Sequence, residues 1–240
     1  MKHSLPSLAL FLTLALPTSV ARADEHGELI FSDDFDRAES QETKDEPGNG
    51  WGTNSQSRAK GHKQVDLADG AMRIFIHAEA DHAVSVTHPA EFTDGAVAMK
   101  FQLEDPKDSL GLDFADAEEK SVHAGHLFAV RCKPDAVQVQ DLKNGSMNLE
   151  IREARLNQSL TKAQKDLIAG LTKNFPAEIA IGQWHDLLVE IAGDTVTVSV
   201  DGKEAGHFSA AGFAHPTKRM LRLSVPRNAV VDEVRIWRKG

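Results

Sequence analysis

The chain has 240 residues, a formal net charge of −9, one cysteine and no tyrosine. An acidic balance of this size argues against nucleic acid or an anionic membrane surface as a partner. A lone cysteine, Cys132, excludes an intramolecular disulfide, while the length is enough for one β domain with a sizeable core.

The first 23 residues have the pattern of an export signal. Lys2 and His3 open it, an apolar run covers 5–16, and Ala21-Arg22-Ala23 supplies a small-x-small cleavage site before Asp24. The apolar run is well short of the ~20 residues of a spanning helix, and Pro6 and Pro17 flank or interrupt it. No transmembrane segment is expected after the signal is removed. Cleavage would take Lys2 and Arg22 away and move the net charge from −9 to −11. The expected organisation is a signal peptide over 1–23 and a single domain over 24–240, located in the periplasm or outside the cell.

A strand over 29–35 ends in the acidic run Asp33-Asp34-Phe35-Asp36, and a polar loop over 37–50 closes on Pro47-Gly48-Asn49-Gly50. Residues 64–67 and 71–77, joined through Ala68-Asp69-Gly70, make a hairpin. Further strands are expected over 84–87, 96–103, 109–114, 125–132 and 136–140. Cys132 falls in one of these and reads as a buried, inert thiol. The pattern then changes. Leu160, Ala163, Leu167, Ile168, Leu171 and Phe175 form a helical stripe, and Thr161-Lys162-Ala163-Gln164 is a capping box that starts the helix at Lys162. One amphipathic helix over about 160–175 is therefore expected, packed on an edge or face of the sheets.

Period-two alternation returns at the end. Leu187, Val189 and Ile191 share one parity, and Gly193-Asp194 breaks the run. Val196, Val198 and Val200 follow, then the Asp201-Gly202 turn, then Leu221, Leu223 and Val225, and finally Val234 and Ile236. Alternation between Gly-Asp and Asp-Gly turns is what antiparallel strands with one buried face produce. The fold class is thus all-β, an antiparallel sandwich with one inserted helix.

Three segments carry a family resemblance. Gly182-Gln183-Trp184-His185-Asp186-Leu187, then Val198-Ser199-Val200-Asp201-Gly202, then Val231-Asp232-Glu233-Val234 resemble the end of a concanavalin A-like jelly roll. Phe31-Ser32-Asp33-Asp34-Phe35, Trp51 and Val65-Asp66-Leu67-Ala68-Asp69-Gly70 resemble its start. Laminin-G-like domains and the bacterial 3-keto-disaccharide hydrolases share these features. The matching residues are turn formers and core positions, so the resemblance speaks to fold rather than activity. The Glu-x-Asp-x-x-Glu strand of laminarinase-type glucanases is absent. The segment 108–113 matches the asparagine-rich strand of the 3-keto-disaccharide hydrolases only loosely.

Parity selects candidate binding residues. With Val137, Val139, Leu110, Leu112, Phe114, Phe128 and Val130 inward, Asp113, Arg131, Gln138 and Gln140 face outward. Charged and amide groups suit a hydroxyl-rich ligand. Ile74 and Ile76 likewise turn Arg73 and His77 outward. Trp51, Trp184 and Trp237 are expected to pack structurally. His123-Ala124-Gly125-His126 has a His-x-x-His spacing, but residues three apart on a strand point to opposite faces. Asp34 and Asp232, with Asp33 and Asp36, are candidates for a structural calcium, an expectation the resemblance supports. No other cofactor is expected. Three functions stay open: a non-catalytic glycan-recognising domain, a glycoside-cleaving enzyme related to the 3-keto-disaccharide hydrolases, and a structural envelope protein.

Overall fold

The structure is a computed structural model that describes residues 25–240, so the expected signal peptide lies outside the described residues. Strands dominate. They are β1 (Glu28–Asp33), β2 (Gly52–Thr53), β3 (Val65–Ala68), β4 (Ala71–Phe75), β5 (Val84–Phe92), β6 (Asp94–Gln102), β7 (Leu110–Ala115) and β8 (His126–Lys133). After them come β9 (Ala136–Asp141), β10 (Thr172–Pro176), β11 (His185–Ala192), β12 (Thr195–Val200), β13 (Lys203–Ser209), β14 (Lys218–Val225) and β15 (Asn228–Lys239). The helices are α1 (Ser55–Arg58), α2 (Leu149–Leu156) and α3 (Lys162–Gly170).

Two antiparallel sheets stack face to face. The first runs β13-β12-β11-β6-β15-β4-β3, with β1 also paired to β15. The second runs β10-β9-β8-β7-β14-β5-β2. Alternation explains why they stack. Leu110, Leu112 and Phe114 of β7 and Leu221 and Leu223 of β14 meet Val97 and Phe101 of β6 and Val189 and Ile191 of β11, all sealed from solvent. Asp69-Gly70 and Asp201-Gly202 have positive φ at both residues (57° and 72°, 53° and 73°), the backbone that a tight two-residue hairpin requires. No helix among the described residues is long and apolar enough to cross a membrane.

The inserted segment differs from expectation. Helix α3 starts at Lys162 with the capping box formed, Thr161 accepting from the Gln164 N–H and Gln164 reaching back. It ends at Gly170 rather than running to 175. Thr172 and Phe175 instead belong to β10, which pairs with β9, so the apolar spacing continued past a real helix stop. A second helix, α2, precedes it, capped by Asn148, whose side chain accepts from the N–H groups of Glu150 and Ile151. The stripe of α3 is not packed down: Leu167 is 46% exposed and no residue of the helix is buried.

Other expectations resolve individually. Trp51 and Trp237 are buried, but Trp184 is 45% exposed in the turn before β11. Ile76 lies beyond the end of β4 and is exposed, unlike Ile74. Cys132 is fully buried, and desolvation pushes its thiol up to about 12, which leaves it inert.

Candidate functional site

The outward side of the second sheet holds Asp113, Arg131, Gln138 and Gln140 together, on the adjacent strands β7, β8 and β9. Strand register arranges them into two neighbouring rows. One row crosses the sheet through Asn174, Gln138, Arg131, Gly111, Ser224 and Ser85, each residue opposite the next. The row beside it runs through Thr172, Gln140, Ala129, Asp113, Arg222 and Thr87. Six strands spaced ~4.8 Å apart make a polar strip about 24 Å long. Ala129 leaves its middle low, and the Arg131 guanidinium lies over Gly111, where a Cβ would come within 3.4 Å of its Nη1. Gln138 donates to the Asn174 amide oxygen at 2.9 Å.

A polar cluster lies along one side of the strip, where β7, β8 and β14 run together. Asp113 Oδ2 lies 2.6 Å from His126 Nδ1, and Arg222 Nη1 lies 2.8 Å from His126 Nε2 and 4.0 Å from Asp113 Oδ2. With Nδ1–H donating to Asp113, Nε2 is left to accept from Arg222. These neighbours cover Asp113, which points outward by parity but is only 7% exposed. Its Oδ1 is buried with no partner, which costs about 1–3 kcal/mol unless a water or ligand hydroxyl supplies a donor.

Sequence parity pointed away from His126. It shares parity with inward Phe128, so strict alternation would bury it. The register shifts beside it: Phe114 faces Phe128, but Ala115 faces His126, and Leu127 takes the buried position. The turn before β8 brings His123 to the same side. Ala124 and Gly125 have φ of 50° and 73°, and a Cβ on Gly125 would meet the Asp116 carbonyl oxygen at 2.3 Å. The two imidazoles end stacked, with centroids 6.2 Å apart. Burial, then the charges of Arg152, His126, Arg222 and Arg155, lower the His123 pKa from its ordinary value. The His-x-x-His spacing with a glycine before the second His was the available signal.

Beside this cluster, loops are tied by ions. Although burial opposes it, Asp116 stays below the usual carboxylate range through the Glu118 N–H, His215 at 3.1 Å and Arg219 at 2.5 Å. Lys143, 2.8 Å away, and Ser121 bring Glu119 down to about 2.

The acidic residues near the termini are arranged differently. Pairing of β1 with β15 sets Asp33 opposite Val234 and draws Asp34 toward Asp232. Burial, with the charges of Glu233 and Asp34, raises the Asp232 carboxyl. Asp33 is held by Arg37, at 2.6 and 3.0 Å, and by Trp51 Nε1 at 2.8 Å. Among the described residues no group of three or more His, Cys, Asp or Glu is placed to hold a metal ion. A cleft of about 480 Å³ covers this region, and another of about 760 Å³ opens between Ile179 and Lys203. Neither includes Asp113, His126 or Arg222.

No protein-family model and no curated protein matches the chain. Solved structures do. The family GH16 endo-β-1,3(4)-glucanase SCLam is 14% identical with a TM-score of 0.58, covering 91% of this chain and 94% of its own. The laminarinase of Rhodothermus marinus is 13% identical with a TM-score of 0.58, covering 88% and 97%. Porphyranase B of Zobellia galactanivorans is 13% identical with a TM-score of 0.55, covering 88% and 92%. The fold is the concanavalin A-like jelly roll. The outward positions of this jelly roll on β7, β8, β9 and β14 carry one carboxylate, Asp113, where glycoside cleavage by paired acids needs two.

Proposed function

We propose that this is an exported, non-catalytic glycan-recognising jelly roll. On this reading a single domain over 24–240 works in the periplasm or outside the cell after loss of residues 1–23. The supporting observation is the strip itself: amide, hydroxyl and guanidinium groups in two rows beside a low position at Ala129, with Arg131 lying over Gly111. Such groups donate and accept along a chain of sugar hydroxyls, and a shallow floor admits a pyranose ring. Arg131 is the anchor, because its fork offers five donors in fixed geometry. Proteins of the same fold that act on glucans lend the reading support without deciding it. A glycan array run on the intact protein tests it. Binding that weakens in Arg131→Ala, with the melting temperature kept, supports the assignment. Binding unchanged in that variant removes Arg131 and its row from the site.

A second reading rests on Asp113 and His126. A carboxylate 2.6 Å from an imidazole orients a general base, as an enzyme related to the 3-keto-disaccharide hydrolases would use. A hydrolysis screen on the same preparation separates the two. Released product that disappears in His126→Ala favours the enzyme, and bound but intact glycan favours recognition.

A further inference from the structure

We propose that the ligand of this face is an anionic glycan, one bearing carboxylate or sulfate groups, with its acidic substituents held by Arg131, Arg222 and the α2 arginines Arg152 and Arg155. The proposal rests on the glycan-binding reading above and specifies the chemistry of the ligand.

The starting observation is how arginines are paired. In a chain with net charge −9, a guanidinium finds carboxylates readily. Away from the strip, Arg37, Arg58, Arg73, Arg219, Arg227, Arg235 and Arg238 each have a carboxylate within 4.0 Å. Among the described residues Arg131, Arg152 and Arg155 have none, and Arg222 reaches Asp113 only at 4.0 Å. The arginines left uncompensated therefore gather on one face and its rim.

The fold brings the rim to the face. Val122 bridges to Asn148, and the His123 N–H donates to the Met147 carbonyl at 2.9 Å, so the turn that carries His123 is joined to the start of α2. Arg152 and Arg155 follow within the helix, close enough that their charges act on His123. Arg222 and His126 bound the same side from β14 and β8. The acids nearby are Asp113, whose Oδ2 is engaged by His126, and Glu150 and Glu153 of α2, neither of which lies within 4.0 Å of Arg152 or Arg155. Four guanidiniums against three carboxylates leave the local balance slightly cationic on an acidic protein.

Guanidinium forks match carboxylate and sulfate oxygens two at a time, and charge-assisted bonds of that kind are about twice as strong as neutral ones. A neutral glycan would leave these arginines unpaired. An acidic one would neutralise them, while its hydroxyls meet Gln138, Gln140 and Asn174.

The test uses the full mature chain and matched probes: laminarin, its C6-oxidised carboxylated form and its sulfated form. Binding is measured by titration calorimetry at low and high salt. We expect at least one acidic form to bind about tenfold more tightly than laminarin at low salt, with the advantage shrinking as salt screens it. Carboxylated against sulfated laminarin identifies which acidic group is preferred. The Arg152→Ala/Arg155→Ala double variant, which keeps Arg131 and Arg222, should cut the acidic advantage severalfold while keeping its melting temperature. Equal binding of laminarin and both acidic forms overturns the anionic assignment and leaves glycan recognition standing. An acidic preference undiminished in the double variant overturns the role of the α2 arginines. Loss of all binding in every arm overturns the glycan reading with it.

Discussion

Lys218 offers the most direct check on the physics of this sandwich. It opens β14, the strand that carries Arg222, and no part of it reaches solvent. Its ammonium donates to the Thr93 carbonyl at 2.5 Å and has no carboxylate within ion-pair distance among the described residues. Burial, offset weakly by Asp94, brings its pKa down from 10.5 to about 8. At pH 7 the amine is protonated in the folded and unfolded chain alike, so the folded protein bears the cost of burying the charge. Between about pH 8 and 10.5 the folded chain gives up the proton first, the unfolded chain binds more protons, and stability rises with pH. The full shift corresponds to ~3 kcal/mol, and relaxation around the buried ammonium brings it to about 2. Replacing Lys218 with Met removes that cost but strips the Thr93 carbonyl of its donor, a loss of about 1 kcal/mol. Lys218→Met should therefore be about 1 kcal/mol more stable than the natural protein at pH 7, a rise of roughly 2–4 °C in melting temperature. Above pH 10.5 it should be less stable by a similar amount. Cys132 acts in the opposite sense, since its thiol ionises near 9.0 when unfolded but at about 12 when folded, yet it does so equally in both proteins and cancels from their difference. Urea unfolding of both proteins from pH 7 to 10.5 gives the difference directly. A difference that does not change with pH would refute the reasoning.

Three further outcomes are expected. Asp113→Ala, which leaves His126 without its acceptor and Arg222 without its nearest carboxylate, should cost about 1–3 kcal/mol in chemical denaturation. Asp113→Asn, which keeps an acceptor and the shape, should cost less, and the reverse order would mean Asp113 is not what holds the cluster. Glu119, held at about 2 by Lys143, contributes stability that is complete above its ordinary pKa of 4.5 and fades as pH falls toward 2. As a half-buried pair at the protein's edge it is worth about 1 kcal/mol, so Glu119→Gln should flatten the acid limb of the melting curve by only a few degrees. Gly212→Ala would place a Cβ 2.1 Å from Asp141 Oδ1, a carboxylate fixed by the Gly212 and Asn144 N–H groups. Overpacking there should cost about 1–3 kcal/mol, and a variant with unchanged melting temperature would show that the loop relaxes freely.

Side-chain parity is a property of the extended backbone itself, so the sequence alone determined that Leu110, Leu112, Val137 and Val139 turn inward and that Asp113, Arg131, Gln138 and Gln140 turn outward. The Thr161-to-Gln164 capping box was equally legible, because both of its hydrogen bonds close within four residues. Strand order was not. Arg222 could be read as outward, yet its place beside Asp113 follows from β14 pairing between β7 and β5, which are distant in the chain. That pairing is settled by burying two apolar faces against each other at once, which no local window contains. His126 shows the same limit at a single residue. One register shift beside Leu127 reverses its parity and carries the imidazole from the core side to the face where Asp113 meets it. For α3 the sequence supplied an apolar stripe, but only the packed molecule decided that Leu167 is left 46% exposed and no residue of the helix is buried. An amphipathic pattern states what a helix can bury, and whether it does depends on where the rest of the chain ends up.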